Sequence, residues 1–172
     1  MKHCLSLFAL LLLIVSLSCK QDRKLTSVAV FTMWSHFLNT LETNDKMAFK
    51  KASAESIRCY DCLENTPSEA QQINILRETD SLWYDKIYDD LIYIPIDRFI
   101  DNDFDILFNP QFVQILRDND ISFFEDNKND VIKVHILVTT TPPSENFEGG
   151  QHSFSFTKMN DKWKFTEIGT IP

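Results

Sequence analysis

Glycine is nearly missing from this chain: Gly149, Gly150 and Gly169 are the only three in 172 residues. A loop that cradles phosphate needs glycines at fixed spacing ahead of a helix, so no nucleotide cofactor is expected. A basic cluster is missing too. The chain holds 17 lysines and arginines against 25 aspartates and glutamates, a net charge of −8. Such a surface repels nucleic acid and anionic head groups. There is no run of the ~20 apolar residues that a spanning helix needs, no internal repeat, and no low-complexity tract after residue 20. Metal motifs are incomplete. In "DRFIDNDFD" the oxygen donors Asp101, Asn102, Asp103 and Asp105 suggest calcium. Counted from Asp101, an EF-hand needs glycine at the sixth position and glutamate at the twelfth. Ile106 and Phe112 stand there, and the run reads as a solvated loop. His36, His135 and His152 lie at no finger-like spacing from Cys59 and Cys62, so no metal is expected.

What is present begins with an address. Lys2 and His3 precede an uncharged, mostly apolar run from Leu5 to Ser18. Its length and basic flank fit the hydrophobic region of a secretory signal. The run ends in "LSLSC", which resembles a bacterial lipoprotein signal. The resemblance implies a signal peptide at 1–18, lipid on Cys19, and a lipidated tether at 19–27. Lys20, in place of an aspartate, favours the outer membrane. Several acyl chains make such an anchor lasting, at ~0.8 kcal/mol per buried methylene. The expected partner on that side is the membrane, reached through Cys19. What remains is one domain of ordinary size, 28–172.

Periodicity orders that domain. In "SVAVFTMWSHFLNTLETND" the residues Val30, Trp34, Phe37, Leu38 and Leu41 fall on one helical face, and Phe31 widens it. Asn44 and Asp45 break this helix and cap a short second one, "KMAFKKAS". Thr66, Pro67 and Glu69 make a capping box for a third. It carries Ile73 and Leu76 inward and breaks near Thr79. "LIYIPIDRFI" reads as extended, with Pro95 placing it at an edge or bulge. Asn109 and Pro110 start a helix with Phe112, Val113 and Leu116 inward. The end is β. "VIKVHILVTTT" sets Ile132, Val134, Ile136 and Val138 on one face, and a long polar loop follows. A two-residue turn at Asn160 and Asp161 would then pair Lys158 with Trp163 and Phe156 with Phe165.

Helices followed by an antiparallel meander call for an α+β roll, in which N-terminal helices pack on a curved antiparallel sheet. The aromatic helix "FTMWSHFL" and the ending "HSFSFTKMNDKWKFTEIGTIP" resemble the nuclear transport factor 2-like (cystatin-like) superfamily. The resemblance spans 28–172. It implies a cone with a pocket open at one end. Members include isomerases, dehydratases, hydrolases and non-catalytic binders, so the fold leaves function open.

Candidate residues follow. Cys59 and Cys62 in "CYDC" can be a disulfide, a redox centre or part of a metal site. An oxidising envelope favours the disulfide, a clip of ~2 kcal/mol on the link between two helices. Similar isomerases transfer protons with tyrosine and aspartate lining the cone, which points to Tyr84, Asp85 and Tyr88. Around Lys86, however, the aspartates also read as a solvated helix face. His135 lies on the strand face opposite Val134. If that face lines the cone, His135 is an acid or base; otherwise it is structural. His152 and Ser153 are strand neighbours facing opposite ways and cannot share a proton. The expected function is a non-catalytic binding domain for a small apolar ligand or an envelope protein. The alternative is an isomerase- or hydrolase-type enzyme; a third reading is a structural or assembly module. Ligand and enzyme readings require a deep pocket, whereas the third requires a filled cone and an exposed apolar patch.

Overall fold

The computed structural model describes residues 27–128 and 131–171. The signal segment, Cys19 and most of the tether therefore lie outside the described residues. Helix α1, Ser27–Glu42, buries Val30, Trp34, Phe37, Leu38 and Leu41, the stripe its periodicity demands. Asn44 turns the chain at φ 50°. Asp45 then accepts from the Ala48 N–H at 2.9 Å and starts α2, Lys46–Ala52. The Thr66 capping box opens α3, Pro67–Thr79. A mixed helix α4 runs Trp83–Asp85 in α and Lys86–Leu91 in π geometry. A second mixed helix, α5, runs through Ile96–Arg98, Phe99–Asp103 and Phe104–Leu107, its middle part again π. Asn109 caps α6, Pro110–Asp118. No helix among the described residues is long and apolar enough to cross a membrane.

Six strands complete the α+β fold: β1 Ser53–Cys59, β2 Tyr93–Pro95, β3 Ile121–Lys128, β4 Val131–Thr141, β5 Gly150–Met159 and β6 Lys162–Ile171. They form one curved, unclosed sheet in the order β2-β1-β6-β5-β4-β3. Every pairing is antiparallel except β1 with β6, which is parallel. The last hairpin has the register its pattern predicts. Phe156 faces Phe165 and Lys158 faces Trp163. Asn160 and Asp161 take φ 48° and 61°, the left-handed pair that suits a two-residue hairpin turn.

The helices cover one sheet face, and aromatic rings fill the space between. Phe37 of α1 lies 4.9 Å from Phe165, 5.3 Å from Phe156 and 6.1 Å from Phe108, ring centre to ring centre. Phe49 of α2 packs on Phe104 at 4.9 Å and on Phe99 at 5.7 Å. Val134, Ile136, Val138, Phe154 and Ile168 close the layer from below. Where a hollow cone would put a pocket, these rings touch one another.

Three local expectations change. "LIYIPIDRFI" is extended only over Tyr93–Pro95, and Ile96 already begins a helix. The run from Asp101 to Asp105 is helical rather than a loop, and Asp103 is buried within it. Its π turn brings Phe99, Asp103 and Phe104 to the inner side together. The CYDC segment joins a strand to a 3-10 turn, not two helices. Cys59 ends β1 and Cys62 lies in Asp61–Leu63.

Candidate functional site

Among the described residues the other sheet face carries no helix, and there the chemistry gathers. Cross-strand partners define its rows. Arg58 pairs with Glu167, Glu167 with Ser155, Ser155 with His135, and His135 with Phe124. The next row runs Lys164, Thr157, Lys133, Asp126. A bulge in β6 makes this density possible. Phe165 and Ile168 both point inward although they are three positions apart, so Thr166 and Glu167 turn outward together.

Glu167 is the hub. Its Oε1 accepts from Arg58 Nη1, and its Oε2 accepts from Lys133 Nζ at 3.1 Å and Ser155 Oγ at 3.3 Å. Burial would raise the Glu167 pKa, but hydrogen bonds and charge from Lys133 and Arg58 outweigh it and hold the carboxyl below its ordinary value. An ionised carboxylate only accepts, so Ser155 gives its proton to Glu167. His135 Nδ1, 2.9 Å from Ser155 Oγ, must then be the donor to Ser155. The ring stacks on Phe124 at 4.7 Å, and burial, helped by Lys133, lowers its pKa. The order is therefore histidine, serine, glutamate. A nucleophile needs the histidine to take the serine proton. Here the proton points to a weakly basic carboxylate, and Ser155 is fully buried.

Beside this network lies an open groove of about 800 Å³. Its walls include Ser56, Arg58, Tyr93, Lys133, Thr157 and Lys164, with Glu55, Thr166, Glu167 and Lys162 around them. Four cations face two carboxylates there, a local excess of positive charge on a chain of net charge −8. Tyr93 is 48% exposed at one edge. Thr157 and Thr166 join their hydroxyls at 3.0 Å in the floor.

Against known proteins, no family model matches the chain, and no curated protein matches it either.

The remaining candidates lie elsewhere. Tyr84 and Asp85 face solvent. Tyr88 is half-buried and stacks between Tyr84 at 4.5 Å and Tyr60 at 5.6 Å. The Tyr60 hydroxyl meets Arg77 and donates to Glu64 at 3.1 Å. Burial, then the bond to Glu64, pushes its pKa up to about 12. These tyrosines tie α3 and α4 to the segment after β1, outside the ring-filled interior. Cys59 and Cys62 are joined in a disulfide with Cα atoms 5.4 Å apart. His135 is on the helix-free face, so the condition for its lining the interior is not met. His152 lies under Phe112 with Nδ1 2.8 Å from Thr140 Oγ1. No group of three or more metal-ligating side chains occurs among the described residues.

Sequence reasoning passed over the hub pair, Arg58 and Glu167. One signal was available. "FTEI" breaks the two-residue alternation of β6, and a three-residue gap between apolar positions in a strand marks a bulge. Arg58 gave no comparable signal, because β1 holds only two large buried side chains with any periodicity, Ile57 and Cys59.

Proposed function

We propose that the folded unit is a non-catalytic binding domain and that the groove on the helix-free sheet face is its binding surface. The ring-filled interior leaves no room for the deep cone pocket expected of a ligand binder and fits the assembly reading instead. The observation that carries the binding reading is the open groove on the other face. It has the size of small-ligand sites, and its rim is held by the Arg58–Glu167–Lys133 network. The lining is polar and charged, which turns the expected ligand from apolar to polar. An isomerase- or hydrolase-type reaction draws less support. Tyr84 and Asp85 face solvent, and the proton of Ser155 is directed away from His135. Helices on one face of a curved, open sheet support the nuclear transport factor 2-like resemblance. The "LSLSC" ending supports presentation of the domain from an envelope membrane by lipid on Cys19.

The test is native mass spectrometry of the full chain purified from its envelope, beside Ala54→Trp, which fills the groove from β1. Binding predicts an added mass on the wild type that the variant lacks at unchanged melting temperature. A bare mass for both, or an adduct retained by Ala54→Trp, overturns the reading. For the anchor, Cys19→Ala should abolish lipid labelling; a variant that is still labelled and membrane-bound removes that part.

A further inference from the structure

We infer that the groove takes a short acidic sugar, a hydroxyl-rich ring bearing a carboxylate; this rests on the groove being the binding surface. Charge comes first. Lys162 and Lys164 line the groove and have no described carboxylate within 4.0 Å. Lys164 instead donates to the Lys51 carbonyl at the chain surface. Arg58 gives one Nη to Glu167 and keeps the rest of its fork, which matches a planar carboxylate. Four cations facing two carboxylates leave a site that wants negative charge.

Length follows from the rest of the molecule. Screening confines the attraction to about 8–10 Å. Lys133 and Lys164 stand two strand spacings apart across Thr157, roughly 10 Å. A short anion fits inside that span and feels only the local excess. A long polyanion would run out over a surface whose net charge repels it.

The remaining lining selects the rest of the ligand. Phosphate sites lean on free backbone N–H groups at helix starts or nests. This groove has no helix start: its floor is the laddered β4, β5 and β6, and β1, which meets β6 only at Ser53, Arg58 and Cys59, adds an extended edge over Ala54 and Glu55 rather than a nest. Ser56 and the amide of Asn160 face the groove as partners for hydroxyls, with Glu55 as an acceptor, whereas Ser53 already donates to the Phe49 carbonyl and Thr157 and Thr166 bond each other. The half-exposed ring of Tyr93, opposite Arg58, offers an apolar plane for the C–H face of a sugar.

The deciding experiment is calorimetric titration of the full chain with digalacturonate, the uncharged disaccharide of the same linkage, and inorganic phosphate. Digalacturonate should bind. Its Kd should rise at least tenfold in the Lys162→Gln/Lys164→Gln double variant and in 0.5 M salt, and severalfold in Tyr93→Ala. Both lysines lack a described carboxylate partner and the bond from Lys164 to the Lys51 carbonyl is exposed, so the double variant should melt within a few degrees of the wild type. Equal affinity for the uncharged disaccharide, equal affinity for phosphate, or no binding of digalacturonate overturns the inference. If digalacturonate fails while Ala54→Trp still removes the adduct seen by mass spectrometry, the groove remains a binding surface and only the sugar is lost. If that adduct is absent as well, both fall.

Discussion

Two carboxylates, one half-buried and one buried, respond to the fold in opposite directions. Glu167 is held by Arg58 and Lys133 and ionises more readily than a free glutamate. In acid the unfolded chain therefore binds this proton first, and stability falls as pH drops through the lowered Glu167 value, below the ordinary 4.5. Glu167→Gln leaves two cations without their partner and should cost about 1–3 kcal/mol at pH 7. The difference from wild type should shrink below pH 4.5, as read by urea unfolding across pH. Asp103 is the reverse case. Burial raises its pKa, against the hydrogen bond from Asn65 Nδ2 at 2.7 Å. The folded state then holds the proton more tightly, and stability falls as pH rises from the ordinary 3.8 through the raised value. Asp103→Asn keeps an oxygen for Asn65 and removes the charge. It should raise the melting temperature at pH 7 and leave it nearly unchanged at pH 3.

Among the elements, the β5–β6 hairpin is the most locally determined. Both turn residues sit at positive φ, which costs a side-chain-bearing residue ~1–2 kcal/mol and glycine nothing. Asp161→Gly should therefore stabilise the domain by about 0.5–1 kcal/mol, and Asn160→Ala should destabilise it by a similar amount. Paired thermal melts check both signs. Capping was equally legible. Asp45, Thr66 and Asn109 each start the helix their sequence announces. The two π segments were not. An i→i+5 turn has no propensity signature, and it arises here where Ile87, Phe99 and Phe104 must all reach the same interior. The edge strand β2 is three residues long, too short for alternation to show.

For the whole molecule, the ring cluster around Phe37 joins every layer. It touches Trp34 in its own helix, Phe49 in α2, Phe108 after α5, and Phe154, Phe156 and Phe165 in the sheet. Phe37→Ala should cost ~3–5 kcal/mol, because rings held from both the helices and the sheet cannot all collapse into the void. Denaturant unfolding of that variant measures it. A smaller loss, near that of an exposed phenylalanine, would mean the interior relaxes or was loosely filled.

The sequence by itself determined what short-range chemistry can specify: where helices start, which helix face is apolar, the hairpin register, and the α+β class. Those depend on spacings of two to four residues. It also marked Cys59 and Cys62 as neighbours able to pair. The tertiary structure alone decided which sheet face stays uncovered, and with it the site. Arg58 and Glu167 are 109 positions apart in the chain, and only the parallel docking of β1 on β6 makes them partners. A groove built across four strands is a property of long-range pairing, which leaves almost no trace in local periodicity. The same docking fills the interior with rings and leaves the charged side chains of β1, β4 and β6 on the outer face of the sheet.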